Sequence, residues 1–322
     1  MRTLVTGGAG YIGSHLVDAL LGLGHDVTVL DDLSTGSRSN IGRHVDAGAI
    51  DFVEGSILDP DLVDQYVSTS ELVFHLAAAV GVKFIVDEPL ASLLTNTRGT
   101  EIVLGSCHAN GVRVLLASTS EVYGKTSKVP FEEDDDRVLG PTTIHRWGYS
   151  TAKAFDEHLA LAYADKGLEV SIVRYFNSYG PRLDPRGYGS VVANFIRQSI
   201  AGEPITVHGD GRQTRCFTYV DDTVAGTVAA GITDAAMGRV INLGTTEETA
   251  IGDLAATIRD MIGSSSDISY APYEDYYGSG FEDTRRRVPE IGRASSLLQW
   301  EPKVRLREGL ERTIAWWRET HG

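Results

Sequence analysis

Short apolar runs rich in β-branched residues alternate along the first half of the chain with longer stretches of helical spacing. The predicted strands are 3–6, 26–30, 50–54, 72–76, 112–118 and 169–175. The predicted helices between them include 11–24, 93–110 and 149–166. Continuous apolar strands that alternate with helices are typical of a parallel sheet covered by helices on both faces. The sequence therefore predicts an α/β fold with a doubly wound parallel sheet.

The regular alternation ends near Tyr175. Pro181, Pro185 and a stretch rich in glycine and arginine come next, and then predicted helices at 191–202 and 217–231 and a strand at 240–243. We therefore expect a second, smaller α/β lobe that is built from two separate stretches. The predicted division is 1–176 plus 212–243 for the first domain, and 177–211 plus 244–322 for the second.

Composition narrows the range of partners. The 322 residues carry a formal net charge of −15, whereas a nucleic-acid-binding protein needs a basic face. No apolar run approaches the roughly 20 residues that cross a bilayer. A strand that begins at Thr3 leaves no room for a signal peptide, and Cys107 and Cys216 are too few for a disulfide framework or a cysteine-based zinc site. We expect a soluble, cytoplasmic protein that binds no nucleic acid, membrane or metal.

The first strand is followed directly by a glycine-rich turn, 7–13, with the sequence GGAGYIG. Glycines at 7, 10 and 13 permit a tight turn, a close approach of the backbone to a pyrophosphate, and close packing of the next helix. The positive end of that helix then faces the phosphates. Such a turn can be purely structural, but its position between a strand and a helix favours a dinucleotide site.

Two carboxylates, Asp31 and Asp32, come after the second predicted strand. A carboxylate at this point can accept hydrogen bonds from the ribose hydroxyls and would repel a 2′-phosphate. The alternative interpretation is a solvated turn. Because of the glycine turn upstream, the sequence predicts NAD rather than NADP as the cofactor.

A tyrosine and a lysine stand four residues apart on a predicted helix, at positions 149 and 153. Positions four apart share one helix face, so both side chains project into the same cleft. A free tyrosine has a pKa of about 10 and is a poor base near neutral pH. An adjacent ammonium and the positive charge of an oxidised nicotinamide favour the phenolate. We predict that Tyr149 is the catalytic base and that Lys153 assists it.

Hydroxyl side chains end the fifth predicted strand. The carboxyl edge of a parallel sheet faces the ligand crevice. Thr119 or Ser120 can therefore hydrogen-bond the alcohol oxygen that Tyr149 deprotonates. For each hydroxyl, the alternative is that it only satisfies backbone groups at the strand end.

These features, together with HLAA at 75–78 and RYFNSYGPR at 174–182, resemble the extended short-chain dehydrogenase/reductase family, which includes NAD-dependent epimerases and dehydratases of nucleotide sugars. The resemblance covers nearly the whole chain, to the segment WEP at 300–302. It implies an N-terminal Rossmann-type domain that retains NAD and a C-terminal lobe that holds the nucleotide diphosphate. It also implies a homodimer formed through two helices per subunit, here around 93–110 and 149–166.

The expected cofactor contacts lie mostly at the turns after the strands. They are Gly7, Gly10, Tyr11, Ile12, Gly13, Asp31, Asp32, Ser56, Ile57, Leu76, Ala77, Ala78, Tyr149 and Lys153.

Residues 119–121 resemble one branch of this family more than the others. A sugar 4,6-dehydratase typically has Asp followed by Glu here, whereas this chain has Ser120 followed by Glu121. The common 4-epimerases usually lack the glutamate. The run Thr119-Ser120-Glu121 instead resembles the UDP-glucuronic acid decarboxylases. Three further segments resemble the bacterial decarboxylase domain of the aminoarabinose lipid A pathway, namely 145–149, 215–218 and 275–283.

The resemblance also implies substrate contacts. The catalytic arginine of the family falls on Arg287, with Arg285 and Arg286 left open as alternatives. A diphosphate contact is expected at Arg212 or Arg215, of which Arg215 matches better. The full set of expected substrate contacts is Asn177, Arg182, Val192, Arg215, Tyr277 and Arg287. Guanidinium groups suit both phosphate and carboxylate, and they give an acidic protein the local positive charge that an anionic substrate needs.

The function implied is that of an NAD-dependent UDP-glucuronic acid decarboxylase. It would oxidise the sugar at C4, release carbon dioxide from the 4-keto uronate, and give UDP-4-keto-xylose, UDP-xylose or both. The expected catalytic residues are Thr119, Ser120, Glu121, Tyr149, Lys153 and Arg287. The alternatives are a UDP-glucuronate 4-epimerase, a nucleotide-sugar 4,6-dehydratase and a redox-sensing module without turnover. The last of these tends to lose the Tyr/Lys pair, which this chain keeps.

Overall fold

Parallel strands and helices alternate through the first half of the computed structural model, which describes residues 1–81, 85, 87–183, 190–273 and 283–321. The strands are β1 (Arg2–Thr6), β2 (Asp26–Asp31), β3 (Ile50–Glu54), β4 (Leu72–His75), β5 (Arg113–Thr119), β6 (Val170–Tyr175), β7 (Ser178–Tyr179), β8 (Ile205–His208), β9 (Thr214–Cys216), β10 (Thr218–Tyr219), β11 (Val240–Leu243), β12 (Glu248–Ala250) and β13 (Ile268–Ala271). The α-helices are α1 (Tyr11–Gly22), α2 (Gly42–Asp46), α3 (Pro60–Val67), α4 (Pro89–Asn110), α5 (Arg146–Ala164), α6 (Val191–Ala201), α7 (Val220–Ile232), α8 (Ile251–Ile262), α9 (Gly292–Leu298) and α10 (Leu306–His321).

The central sheet has seven parallel strands in the order β3-β2-β1-β4-β5-β6-β11. The predicted doubly wound parallel sheet is therefore confirmed. The strand order reverses direction between β1 and β4, and the loops on either side of such a point diverge to leave a crevice at the carboxyl edge. The glycine turn after β1, residues 76–78 after β4 and residues 119–121 at the end of β5 all lie at this edge.

Helices bury both faces of this sheet because neighbouring residues of each strand point to opposite sides. Val5 packs in one apolar cluster with residues of α1 and α7. Leu4, the residue before it, packs in a second cluster with residues of α3, α4 and α5. Both side chains are fully buried, which explains why β1 is a continuous apolar run.

Small strand pairs organise much of the second half of the chain. The strand β8 pairs in parallel with β13, β9 pairs antiparallel with β12, and β7 pairs with β10. The predicted helix 217–231 is wrong at its start, because Thr218 and Tyr219 pair with Ser178 and Tyr179, and the helix begins at Val220. The predicted strand 240–243 joins the central sheet beside β6. The division into two domains at 176, 212 and 243 stays a prediction.

Candidate functional site

The glycine turn packs tightly against its neighbours. Gly7 has a φ of +74° and donates its N–H to the carbonyl of Leu30 at 2.9 Å. A Cβ on Gly13 would lie 2.1 Å from the carbonyl oxygen of Gly7, and one on Gly7 would lie 2.6 Å from the backbone nitrogen of Ala77. Only glycine fits at these two positions, and the N-terminus of α1 is therefore held close to the end of β1.

A cavity of about 860 Å³ opens at this edge of the sheet. Its wall includes the glycine turn, Asp31, Asp32 and residues 76–78. The Asp31 carboxylate accepts the N–H of Ala9 at 2.9 Å and that of Leu33 at 2.9 Å, which ties the end of β2 to the glycine turn. Burial raises the pKa of Asp31, and the two N–H donors oppose that effect. The volume, the glycine cradle and the carboxylate fit a dinucleotide with an unmodified ribose.

Most of the predicted cofactor contacts line this cavity. They are Gly7, Gly10, Tyr11, Ile12, Gly13, Asp31, Asp32, Ile57, Leu76, Ala77, Ala78, Tyr149 and Lys153. Ser56 does not line it, although its neighbours Gly55 and Ile57 do, and the Ser56 hydroxyl accepts the N–H of Leu58 within its own turn. Ser118, which was not predicted as a contact, lines the cavity as well.

Arg182 also lines this cofactor cavity, whereas the prediction made it a substrate contact. It has a φ of +63°, and its guanidinium donates to Asp18 at 2.6 Å. The Nη1 atom is buried without a hydrogen-bond partner among the described residues. A buried guanidinium nitrogen at the cavity wall suits a phosphate oxygen, so the geometry favours a cofactor contact over the predicted substrate contact.

Tyr149 and Lys153 reach the cofactor cavity from α5, as their spacing predicts. Burial raises the pKa of the Tyr149 phenol, and the negative charges of Glu121 and Asp156 raise it further. The phenolate therefore needs additional positive charge beside it, and a bound oxidised nicotinamide carries such a charge.

Two buried contacts fix α5 against the sheet. Ser118 donates its hydroxyl to Glu157 at 2.5 Å, and Arg174 donates to both oxygens of Glu157 at 2.9 and 2.6 Å. The bidentate pair ties the helix to β6, and the hydroxyl ties it to β5. Tyr149 and Lys153 are thus carried by a helix that is anchored to two strands.

A second cavity, of about 220 Å³, adjoins the first, and Ser190 lines both. Glu121 projects into it from the turn after β5. Its carboxylate accepts from Arg287 at 2.7 Å and lies 3.1 Å from the guanidinium of Arg146. Burial alone would raise the pKa of Glu121, but the charges of Arg146 and Arg287 outweigh it and lower the pKa to about 2. Glu121 is therefore a carboxylate throughout the neutral range.

A second carboxylate, Asp283, completes the charged cluster. It accepts from Arg215 at 2.8 Å, from Arg146 at 3.4 Å and from the hydroxyl of Tyr273 at 3.1 Å. Burial alone would raise the pKa of Asp283, but the charges of Arg215 and Arg146 outweigh it, and the net shift is downward. We call the three arginines and two carboxylates, Glu121, Arg146, Arg215, Asp283 and Arg287, the charged cluster. Its guanidiniums outnumber its carboxylates, so it can accommodate a further anion.

The three consecutive arginines differ in burial and in their ion pairs. Arg287 is 5% exposed and lines the second cavity, and its Nε has no hydrogen-bond partner among the described residues. Arg285 and Arg286 are exposed and pair with Asp210 and Glu248. Arg287 is therefore the member of the triple that can reach a ligand.

The other predicted substrate contacts meet at the same cavity, with one exception outside the described residues. Asn177, Val192 and Arg215 line it. Asn177 has a φ of +34°, and its buried Oδ1 lacks a hydrogen-bond partner among the residues that the structure describes. Tyr277 lies outside the described residues.

Thr119 and Ser120 line neither cavity. Thr119 caps the short 3-10 helix Ser120–Tyr123, because its hydroxyl accepts the N–H of Glu121 at 3.2 Å. Ser120 is 3% exposed. Their predicted catalytic roles stay predictions.

Two members of the charged cluster, Arg146 and Asp283, were not predicted as site residues. For Arg146 a signal existed, since it precedes Tyr149 by three positions on the same helix and therefore shares its face. Asp283 ends the segment 275–283 that the resemblance singled out, but spacing alone could not pair it with its arginines, which lie 68 and 137 positions away along the chain.

A parallel sheet with a glycine turn at its switch point and a Tyr/Lys pair in the adjoining cleft defines an enzyme of the short-chain dehydrogenase/reductase class. The chain matches the model of the NAD dependent epimerase/dehydratase family over residues 3–244, and it belongs to that family. It is an NAD-dependent enzyme.

Three similar proteins illustrate the range of the family. The UDP-N-acetyl-alpha-D-glucosaminuronate decarboxylase of Bacillus cytotoxicus is 42% identical over 99% of this chain and 98% of its own length. The UDP-glucuronic acid decarboxylase 1 of Xenopus tropicalis is 38% identical over 99% of this chain and 72% of its own length. The crystal structure of UDP-glucuronic acid 4-epimerase from Bacillus cereus, in complex with UDP-glucuronic acid and NAD, is 31% identical, with a TM-score of 0.88 and full coverage of both chains.

No helix among the described residues is both long and apolar enough to cross a bilayer.

Proposed function

We propose that this enzyme is a UDP-glucuronic acid decarboxylase. The observation that carries the proposal is the charged cluster, in which Arg287 and Arg146 hold Glu121 within a cavity that adjoins the Tyr149 cleft. Three buried guanidiniums in a protein of net charge −15 suit a substrate that brings a carboxylate and a diphosphate. The named relatives at 42% and 38% identity support the same reaction type.

In this proposal Tyr149 removes the proton of the sugar 4-hydroxyl, and Lys153 stabilises the phenolate. NAD, when bound, supplies the hydride acceptor for C4 and can later return the hydride. The 4-ketone stands β to the C6 carboxylate, so the electron pair of the breaking C5–C6 bond passes into an enolate as carbon dioxide leaves. A proton added at C5 then completes the decarboxylation. Glu121 and Arg287 orient the carboxylate and the enolate, and Thr119 or Ser120 hydrogen-bonds the C4 oxygen.

The product depends on the fate of the 4-keto pentose. If hydride returns to C4, the product is UDP-xylose. If the ketone leaves first, the product is UDP-4-keto-xylose. A 4-epimerase is the nearest alternative, since the 4-keto uronate reduced on its other face before decarboxylation gives UDP-galacturonate.

A second substrate has a specific observation in its favour. The Bacillus cytotoxicus relative, which is named for UDP-N-acetylglucosaminuronate, is more similar to this chain than the Xenopus decarboxylase and matches it over nearly its whole length. The N-acetyl group replaces the 2-hydroxyl and leaves C4, C5 and C6 unchanged. The same residues could therefore decarboxylate either sugar.

Proton NMR of the purified enzyme with NAD tests these possibilities, with UDP-glucuronic acid and UDP-N-acetylglucosaminuronic acid supplied separately and together. We expect new pentose resonances and release of carbon dioxide, and the competition experiment ranks the two substrates. If the carboxylate is retained and a UDP-galacturonate signal appears, the enzyme is a 4-epimerase and not a decarboxylase. No change with either sugar would contradict the proposal.

We also propose a homodimer formed through α4 and α5. These two helices pack against each other on one face of the sheet. Leu90, Leu94 and Phe155 are 69%, 48% and 50% exposed on them. An apolar surface of this kind on a pair of neighbouring helices suits contact with a second copy of the chain.

A further inference from the structure

A buried carboxylate stands beside Lys153 but lines neither cavity. Asp156 comes three residues after Lys153 on α5, and its side chain has no exposed surface. Lys153 Nζ donates to Asp156 Oδ2 at 3.3 Å. The other oxygen, Oδ1, has no hydrogen-bond partner among the residues that the structure describes. A buried carboxylate is costly to retain, so this one needs an explanation.

A hydrogen-bond chain reaches Asp156 from the other side. Thr100, on α4, donates its hydroxyl to Asp156 Oδ2 at 3.3 Å. Because the single proton of that hydroxyl is used in this bond, its oxygen accepts from His75 Nε2, which lies 3.1 Å away. Burial, and then the charge of Lys153, lower the pKa of His75 to about 3, so its ring is neutral. With the proton on Nε2, the Nδ1 of His75 is an acceptor.

The same hydrogen-bond chain continues to the cofactor wall. The hydroxyl of Thr6, at the end of β1, donates to His75 Nδ1 at 2.7 Å. Thr6 in turn accepts the backbone N–H of Ala77 at 3.4 Å. Each donor in the sequence Ala77, Thr6, His75, Thr100 thus points toward Asp156. A chain oriented in one direction stabilises a negative charge at its end.

We propose that Asp156 is a positioning residue that anchors the Lys153 ammonium and offsets its charge at the Tyr149 base. The hydrogen-bond chain fixes the carboxylate relative to β1 and β4, whose ends form the cofactor wall. The Lys153 ammonium is therefore held at a fixed position relative to the cofactor. Asp156 partly neutralises the charge of Lys153, so the oxidised nicotinamide must supply more of the positive charge that Tyr149 needs to act as a base.

The charges around Asp156 are consistent with this role. Burial raises the pKa of Asp156 to about 6, against the opposing effect of Lys153. Glu157, the adjacent residue, is paired with Arg174 at 2.6 Å, and His75 and Thr100 are neutral. Near neutral pH, Asp156 is therefore ionised and contributes a negative charge next to Lys153. That charge is one of those that raise the pKa of Tyr149.

The substitution Asp156→Asn removes the charge and keeps the size of the side chain. We expect the acidic limb of the pH–turnover profile to move down by about one pH unit, because Tyr149 loses a negative neighbour. The maximal turnover on the plateau of the pH profile should fall about tenfold, because Lys153 loses the carboxylate that holds it in position. Ultraviolet difference titration of the NAD-bound protein against its Tyr149→Phe counterpart should give the same shift for the phenolate. This second measurement needs no substrate, so it stands whatever sugar the enzyme uses.

The matched control is Thr100→Val, which breaks the hydrogen-bond chain but keeps the Asp156 carboxyl group. Because the Thr100 hydrogen bond is only one of the contacts that lower the pKa of Asp156, this variant should move the acidic limb by less than Asp156→Asn does. An unchanged limb and an unchanged phenolate titration in the Asp156→Asn protein would reduce Asp156 to a packing role and overturn the proposal. An equal shift in both variants would trace the effect to the hydrogen-bond chain and not to the charge, which also overturns it.

A second variant, Asp156→Ser, makes the same test if Asp156→Asn does not fold. It also removes the carboxylate beside Lys153, so the acidic limb and the phenolate titration should again move to lower pH. An unchanged limb and an unchanged titration in this variant would likewise overturn the proposal.

Discussion

Neighbouring residues of the same type have different roles in this enzyme. Arg285 and Arg286 form exposed pairs with Asp210 and Glu248, whereas Arg287 is buried against Glu121. An exposed ion pair contributes little, but a buried guanidinium with an unpaired nitrogen is available to a ligand. Burial therefore singles out Arg287 as the member of the triple to which the proposed chemistry is assigned.

Tyr149→Phe tests the proposed base. The change removes only the phenol oxygen, so we expect turnover to fall by about a thousandfold while NAD affinity stays within about threefold. Turnover and calorimetric titration with NAD measure the two quantities. Tyr163→Phe on the same helix is the control and should behave as the wild type. Unimpaired turnover in the Tyr149 variant would remove the tyrosine from the mechanism.

Glu121 makes the stability of the protein depend on pH. Its pKa is lower in the folded protein, at about 2, than in the unfolded chain. Its contribution to the free energy of unfolding is therefore present above the unfolded pKa and is lost as the pH falls toward the folded one. Between pH 6 and pH 3 we expect the wild type to lose about 2 kcal/mol more than Glu121→Gln.

Urea unfolding at a series of pH values measures this difference. Glu54→Gln, at an exposed position of β3, is the control and should follow the wild type. If the free energy of unfolding depends on pH in the same way in the wild type and in the Glu121 variant, the ion pairs of Glu121 do not stabilise the folded state.

At the level of elements, helix α5 carries four of the residues to which chemical or positioning roles are assigned. Arg146, Tyr149, Lys153 and Asp156 succeed one another at intervals of three, four and three residues, which places them along one stripe of the helix. The first part of the stripe faces the charged cluster, the middle faces the cofactor cavity, and the last part meets the buried hydrogen-bond chain. A small rotation of this helix would disturb all three, which explains why Glu157 is locked to β5 and β6.

The contact between α1 and the glycine turn gives a second element-scale prediction. In Gly13→Ala the new Cβ would lie 2.1 Å from the carbonyl oxygen of Gly7, a backbone atom that cannot move aside. The start of α1 must shift, so we expect NAD affinity to fall at least about tenfold in calorimetric titration. Gly22→Ala, at the far end of the same helix, meets nothing within 4 Å and should bind NAD normally. Equal NAD affinity in the two variants would mean that the close contact between Gly7 and Gly13 is not needed for cofactor binding.

At the level of the whole molecule, different parts of the chain supply different parts of the site. The central sheet and its helices provide the glycine turn, Tyr149 and Lys153. Later segments provide Val192, Arg215, Asp283 and Arg287. Both cavities are lined by Ser190, so a cofactor in the first and the proposed substrate in the second would lie next to each other.

The proposed dimer interface can be tested by introducing a charged residue into it. Phe155→Glu places a carboxylate among the exposed apolar residues of α4 and α5, and we expect a dimer to become a monomer in light scattering after size exclusion. Ile232→Glu changes a comparably exposed apolar residue at the end of α7, and it should leave the mass unchanged. A dimeric Phe155 variant would place the interface elsewhere.

The sequence predicted the features that depend on local spacing. A continuous apolar strand followed by glycines and a helix specifies the cofactor turn, and a four-residue interval specifies that Tyr149 and Lys153 share a face. Conversely, the two-residue strand Thr218–Tyr219 was missed because its partner lies 40 positions earlier, at Ser178–Tyr179. A strand of that length has no periodicity of its own to read.

By itself, then, the sequence determined the parallel sheet, the glycine turn and the shared cleft of Tyr149 and Lys153, because each is encoded in residues close together along the chain. Only the tertiary structure showed that Arg287 lines the second cavity, that Arg182 lines the first, and that Arg146 and Asp283 complete the charged cluster. The physical reason is that burial and ion pairing depend on segments that are far apart in sequence. Asp156 belongs to both groups, since its spacing from Lys153 is local but the hydrogen-bond chain that ends on it links four separate elements.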